Sequence, residues 1–213
     1  MAIPILIYGK SGAGKTRSLK NFGNDEICLI QCIDKLLPFK DNFTYKMVLK
    51  EDEGIPYIKA ALLKAYNKGA KTAVIDDATY IMTKRFMNGH RNLIGNQSFE
   101  LYNNIGDEMY TLIKCIKELP TDLIVYVVFH EDVDDYGNIK LRTIGKLLDQ
   151  KVCIEGMVTI CIHAIIDDGK HLFEVNSDGH TIAKSPEDMF ESITIDNDLK
   201  YVDEKIREYY ELK

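Results

Sequence analysis

The stretch Gly9-Lys10-Ser11-Gly12-Ala13-Gly14-Lys15-Thr16 constrains this chain more than any other. It matches G-x-x-x-x-G-K-[ST] at every fixed position. Glycine tolerates the backbone angles a loop needs to wrap closely around a phosphate. The backbone N–H groups of such a loop converge into an anion-binding nest at the start of a helix. Lys15 is then placed to reach the β- and γ-phosphates of a nucleotide, and Thr16 to offer its hydroxyl to Mg²⁺. The flanks agree: the apolar run Ile3–Tyr8 reads as a strand before the loop, and Arg17–Phe22 can continue as a helix after it. A glycine-rich turn without a ligand is the plain alternative, and the strand–loop–helix context argues against it.

The rest of the first 130 residues repeats the alternation of strand and helix. Ile27–Ile30 and Leu123–Phe129 are continuous apolar runs, Thr72–Ile75 is another closed by Asp76, and Tyr45–Leu49 reads as a short strand. Runs of this kind suit strands buried on both faces, as in a parallel sheet between helices. Glu53–Lys68 carries apolar residues at helical spacing, with Pro56 in its first turn and Gly69 to end it. Phe99–Leu119 is amphipathic, with Tyr102, Ile105, Met109, Leu112, Ile116 and Leu119 on one stripe, and Pro120 stops it. The expected fold is therefore α/β, with a central, mostly parallel sheet flanked by helices.

Beyond residue 130 the pattern changes. Asp135-Tyr-Gly-Asn138, Asp167-Asp-Gly-Lys170 and Ser177-Asp-Gly-His180 are turn signals. Met157–Ile166 and His171–Val175 between them read as strands of antiparallel hairpins added to the sheet edge. Val202–Leu212 reads as a terminal helix. One domain over 1–213 is expected: a nucleotide-binding core at 1–130, a hairpin extension at 131–200 and a terminal helix at 201–213.

Charge and composition narrow the function classes. There are 27 Lys and Arg against 33 Asp and Glu, a net charge of −6, which argues against a protein coated in basic surface for nucleic acid but leaves room for a local basic patch. The longest apolar runs stay under ten residues, too short to span a membrane as a helix. The start of the chain lacks the basic region and cleavage site of a signal peptide, so a cytoplasmic location is expected. The five cysteines form no C-x-x-C and read as reduced, mostly buried thiols.

Asp76 ends an apolar strand. In phosphate-loop proteins such an acid holds Mg²⁺, directly or through water. A parallel strand beside the first would bring it to the edge that carries the loop; otherwise it caps the next helix. Asp77 can orient or activate water, or cap the helix near Thr79. His130 ends the strand Leu123–Phe129, where a polar group can sense a γ-phosphate or simply face solvent. Lys140, Arg142, Lys146 and Lys151 crowd into 139–151. They suit a finger to the nucleotide of a neighbouring subunit, a strip along DNA phosphates, or a solvated hairpin balanced by Asp132, Asp134 and Asp135.

Several phosphate-loop classes lack support. Asn67-Lys68-Gly69-Ala70 lacks the Asp of an Asn-Lys-x-Asp guanine reader, and no Leu-Ser-Gly-Gly-Gln occurs. Arg17, Arg85, Arg91, Arg142 and Arg207 include no adjacent pair that would make the lid of a nucleotide kinase, which ranks behind an ATPase.

Ile5–Thr16, Val74-Ile-Asp-Asp77, Val125–His130, Arg142-Thr-Ile-Gly-Lys-Leu-Leu-Asp149, Glu155-Gly-Met157, Ala183-Lys-Ser-Pro186 with Met189-Phe190, and Ile195-Asp-Asn-Asp-Leu199 together resemble the small phage-encoded RecA-like ATPases of the AAA/P-loop superfamily. That group is related to single-strand-annealing ATPases. The resemblance spans nearly the whole chain. It implies a RecA-like core, ATP and Mg²⁺ as ligands, and a role in phage DNA recombination, annealing or replication. It further implies a homo-oligomer with ATP between subunits, and single-stranded DNA and a phage single-strand-binding protein as candidate partners, in the host cytoplasm. Taken with the residue readings above, the candidate site residues are Gly9 to Thr16 for ATP, Thr16 and Asp76 for the metal, and Lys15, Asp77, His130, Arg142 and Lys146 for catalysis. One departure stands out. RecA-like enzymes usually carry a Glu after the second core strand to activate water, and here Gln31 and Asp34 occupy that region. Either turnover is slow or Asp77 takes that role, and two readings follow: a DNA-dependent ATPase, or a nucleotide-gated adaptor with little hydrolysis.

Overall fold

The computed structural model describes residues 1–91 and 93–212. In chain order the strands are β1 (Ile3–Gly9), β2 (Ile27–Gln31), β3 (Tyr45–Val48), β4 (Thr72–Asp76), β5 (Ile124–Val133), β6 (Ile139–Leu141), β7 (Ile160–Asp167), β8 (Lys170–Glu174) and β9 (Thr194–Asp196). The helices are α1 (Ile55–Tyr66), α2 (Thr79–Gly89), α3 (Gln97–Lys117), α4 (Lys146–Gln150) and α5 (Leu199–Tyr209).

The apolar runs explain the layering. In β1, Leu6 and Tyr8 join the core on one face of the sheet, and Ile5 and Ile7 join the core on the other. The same alternation divides β5: Val125, Val127 and Phe129 face one way, Ile124, Tyr126 and Val128 the other. Such strands cannot leave a face in water, so helices cover both. The first core takes in residues of α1, α2 and α3, and the second takes in Leu199, Val202 and Ile206 of α5.

The strand order is β3-β2-β4-β5-β1-β7-β8-β9, with β6 paired to β5 alone. The pairs from β3 through β7 are parallel, and β7–β8, β8–β9 and β5–β6 are antiparallel. This is the α/β arrangement expected from the sequence, with two differences in placement. First, β4 does not lie beside β1, because β5 is inserted between them. All three still run in parallel, so Gly9, Asp76 and His130 reach the same edge, and Gly9 sits in register with His130. Second, β7 forms the expected hairpin with β8 but does not lie at an edge. It also pairs in parallel with β1, while β8 folds back on β7 and β9 pairs with β8. The turn at Ser177–His180 joins no two named strands; it leads to Lys184, which forms a single bridge with Cys161.

Helix ends differ by a few residues from the sequence reading. Asp198 caps α5, its side chain accepting from the backbone N–H groups of Lys200 and Tyr201, so the helix begins before Val202. After the phosphate loop the helix is a short 3-10 segment, Arg17–Asn21. Ser18 Oγ donates to the Lys15 carbonyl at 2.6 Å, and Leu19 N–H turns to Thr16 O at 3.2 Å. A serine hydroxyl that takes the carbonyl due to the next turn favours this tighter winding. All five cysteines are free; four are buried, and Cys153 is exposed. Burial pushes the thiols of Cys28 and Cys161 up to about 12. No helix among the described residues is long and apolar enough to cross a membrane.

Candidate functional site

The site begins with the close approach of two backbones. A Cβ on Gly9 would lie 2.4 Å from the carbonyl oxygen of Ala164 in β7, so only glycine fits where β1 enters the loop. Gly12 and Gly14 have φ of +82° and +102°, values that L residues rarely adopt. The loop folds on itself through Ala13 N–H to Lys10 O at 3.2 Å. Lys15 is buried, and its ammonium donates to Gly9 O at 2.6 Å and Lys10 O at 2.8 Å. Burial lowers its pKa, while the nearby Asp77 and Asp76 act in the opposite direction. A phosphate would replace those carbonyls with a stronger, charge-assisted partner.

β4 delivers Asp76 to the loop. Thr16 Oγ1 donates to the Asp76 carboxylate, at 3.2 Å from Oδ1 and 3.1 Å from Oδ2, and Lys35 Nζ lies 3.8 Å from Oδ2. Asp76 is 1% exposed, and burial raises its pKa; the Lys35 charge opposes this. A hydroxyl and a buried carboxylate in contact are the oxygen donors a Mg²⁺ ion uses, and the ion would relieve the cost of the buried charge. The donor set therefore fits Mg²⁺ bound with a nucleotide. Asp76 caps no helix.

Asp77 does not cap α2 either, since the residue at the cap is Ala78 and no side chain bonds there. Its Oδ2 lies 2.7 Å from His130 Nε2, and its Oδ1 is buried without a hydrogen-bond partner. His130 is fixed in turn through its backbone N–H, which donates to Thr79 Oγ1 at 2.9 Å. A cavity of about 340 Å³ gathers Lys15, Thr16, Arg17, Asp77, His130 and His171 in its walls. A second, of about 450 Å³, is bounded by Lys10, Ser11, Tyr80, His130, Glu131 and Arg142 among others. His130 thus lines both.

The basic segment divides. Arg142 lies beside the phosphate edge, its backbone N–H donating to His130 O at 2.8 Å. Lys146 opens α4, which lies against α3 through Leu147 at Gly106, and it does not line the Arg142 cavity. Gln31, in register with Asp76, is buried, with Nε2 donating to Lys35 O at 3.0 Å; Asp34 is exposed.

Sequence reasoning missed a buried cluster next to the loop. His163 Nε2 lies 2.8 Å from Glu131 Oε2, and its Nδ1 lies 2.9 Å from Glu174 Oε2. Tyr8 stacks on the imidazole with centroids 4.6 Å apart, and Lys10 Nζ stands 3.9 Å from Glu131 Oε1. The His and its two acids come from three strands, so no local spacing announces them. The one available signal was an acid directly after His130.

No curated protein matches the chain. Among solved structures, a KaiC-like protein from the archaeon Pyrococcus horikoshii shares 14% identity at a TM-score of 0.48, over 80% of this chain and 76% of its own. An ATPase from the type III secretion system of pathogenic bacteria shares 13% at 0.46, over 78% of this chain and 51% of its own. A family model described as an AAA domain matches residues 1–190, most of the chain and every named element except β9 and α5. With its phosphate loop, the acid-ended β4 and the parallel order β2-β4-β5-β1, the chain belongs to the AAA domain family of P-loop proteins.

Proposed function

We propose that the protein binds Mg–ATP and hydrolyses it slowly, as a RecA-like ATPase acting with single-stranded DNA in phage recombination, annealing or replication. The observation that carries the nucleotide reading is the convergence of Lys15, Thr16, Asp76, Asp77 and His130 on one edge, from the ends of β1, β4 and β5. Gly9 to Thr16 cradle the phosphates, and Thr16 and Asp76 hold the magnesium. The ion would neutralise charge on the phosphate oxygens. Asp77 receives a water at its free Oδ1 and is oriented by His130, which also faces the γ-phosphate position. Arg142, beside His130, and Lys146 extend toward the nucleotide of a neighbouring copy. Residues 131–200 act as an extension of the same domain.

The nucleotide-gated adaptor remains the second reading, and one observation favours it. Gln31 is occupied with a backbone carbonyl, and Asp34 faces solvent. Neither supplies the glutamate that RecA-like enzymes usually carry there to activate water. Phosphate release, measured with and without single-stranded DNA over a salt series, separates the two. A DNA-stimulated rate that weakens with salt supports the ATPase. A rate unmoved by DNA, with ATP still bound, supports the adaptor. Mixing Arg142→Ala or Lys146→Ala with wild type tests the finger: inactive variants that depress the wild-type rate support a contribution across the interface. Variants with full turnover and weakened DNA binding assign the segment to DNA.

A further inference from the structure

Two polar side chains to which no role has been given above press against the phosphate loop, and one of them, His171, also lines the cavity of about 340 Å³. Asn197, between β9 and α5, is 5% exposed, and neither the nitrogen nor the oxygen of its amide has a hydrogen-bond partner. His171, in β8, has a buried Nδ1 that also lacks one. Both meet the loop at Gly14. A Cβ built there would lie 2.8 Å from Asn197 Oδ1 and 3.0 Å from His171 Nδ1. Buried polar atoms are almost always bonded, because leaving them unpaired costs the lost hydration outright. Three such atoms, on two side chains that meet at one backbone position, therefore point to a partner that the loop does not offer in this conformation.

The loop's own bonds indicate what changes. Its lysine is folded back on the carbonyls of Gly9 and Lys10. A phosphate in the nest draws that ammonium to itself and draws the loop N–H groups inward. Peptide planarity sets each carbonyl opposite to its N–H, so the loop carbonyls then turn outward. Asn197 and His171 stand on the side of Gly14 to which a Cβ would point, close enough to receive a carbonyl that turns there.

We propose that Asn197 and His171 form a polar seat for the phosphate loop. The Asn197 Nδ2 and the His171 ring N–H donate to outward carbonyls of the loop around Gly14 when phosphate is bound, and so favour the loaded conformation over the folded-back one. They are positioning residues, acting through the loop and not through the sugar or base. The proposal rests on the reading of this loop as a nucleotide site. It also gives the antiparallel strands a part in that site, with β8 and the segment after β9 holding the loop at Gly14 while β1, β4 and β5 supply the chemistry.

The test uses the full chain with Asn197→Leu and His171→Phe, which remove the unpaired atoms at similar volume; Asn197→Ala stands in should the leucine variant not fold. Ligand-free Tm is measured, together with affinity for Mg–ATP and for Mg–tripolyphosphate by calorimetry. The expected pattern is an unchanged or raised Tm with affinity reduced about fivefold or more, by the same factor for both ligands. A lowered Tm with unchanged affinity marks an ordinary structural role and overturns the proposal. A loss for ATP alone marks a contact to sugar or base and overturns it as well. Wild type and Lys15→Ala report on the underlying reading. Should wild type bind neither ligand, or Lys15→Ala bind both as well as wild type does, the nucleotide site itself is wrong and the seat falls with it.

Discussion

The two ends of β4 treat buried charge in opposite ways. At its start, Thr72 Oγ1 donates to Asp203 Oδ1 at 2.9 Å, Tyr126 OH donates to the same oxygen at 3.2 Å, and Arg207 Nε donates to Oδ2 at 2.7 Å. Arg207 uses its remaining nitrogens on Asp122 O at 3.2 Å and Lys71 O at 2.7 Å. At the other end, Asp76 shares one threonine hydroxyl, and Asp77 keeps an oxygen without a partner. Burial raises the pKa of both Asp203 and Asp76, with Arg207 and Lys35 respectively opposing it. The difference is in completion. A network with every atom bonded fastens α5 to the sheet; one with atoms left over is prepared for a ligand. Partial satisfaction is costly, and function is the usual reason a protein tolerates it.

The contrast can be broken most forcefully at Asp203. Asp203→Ala leaves the Arg207 guanidinium without its carboxylate at a mostly buried position, and stability should fall by about 3 kcal/mol in a urea melt. The folded fraction should bind Mg–ATP as wild type does. Reduced affinity there would mean that the two ends of β4 are coupled.

Lys15→Ala should act the other way round. Losing the charge-assisted contact costs about 1.5–3 kcal/mol of ATP binding, roughly 10-fold to 150-fold in affinity. The ligand-free Tm should hold or rise, because a buried ammonium disappears. Undiminished affinity in a folded variant would remove the phosphate-loop assignment.

Asp76→Asn sharpens the contrast through pH. The folded pKa of Asp76 is raised, so its ionised form weighs against the ligand-free fold at neutral pH. That penalty is relieved as pH falls through the raised value. The variant should thus be the more stable protein at pH 7, with the advantage shrinking toward acid. Its nucleotide binding should lose its dependence on Mg²⁺. An advantage that grows toward acid would show that Asp76 is already well paired.

Asp77→Asn carries the smallest expected effect on binding. Affinity for Mg–ATP should stay within about twofold, whereas kcat should fall about a hundredfold if this carboxylate handles water. Equal loss in both would place Asp77 on the metal beside Asp76.

Much of this was written in local sequence, because its causes are local. The phosphate loop is read from eight consecutive residues, since glycine angles and one lysine suffice to make an anion nest. The strands of the core are read from apolar runs, since a strand buried on both faces must be apolar at every position. Asp76 is read from its place at the end of such a run. Arg17–Asn21 shows the limit: helix was legible, but the competition of the Ser18 hydroxyl for the Lys15 carbonyl, which winds it as 3-10, was not. Long-range pairing decided the rest. That β5 separates β1 from β4, that β7 joins in parallel, and that Asp77 turns to His130 rather than to a helix end depend on which strands meet. The Glu131–His163–Glu174 cluster and the seat of His171 and Asn197 under Gly14 draw on β5, β7, β8 and the segment after β9. No periodicity or spacing can encode a contact between residues that only strand order brings together.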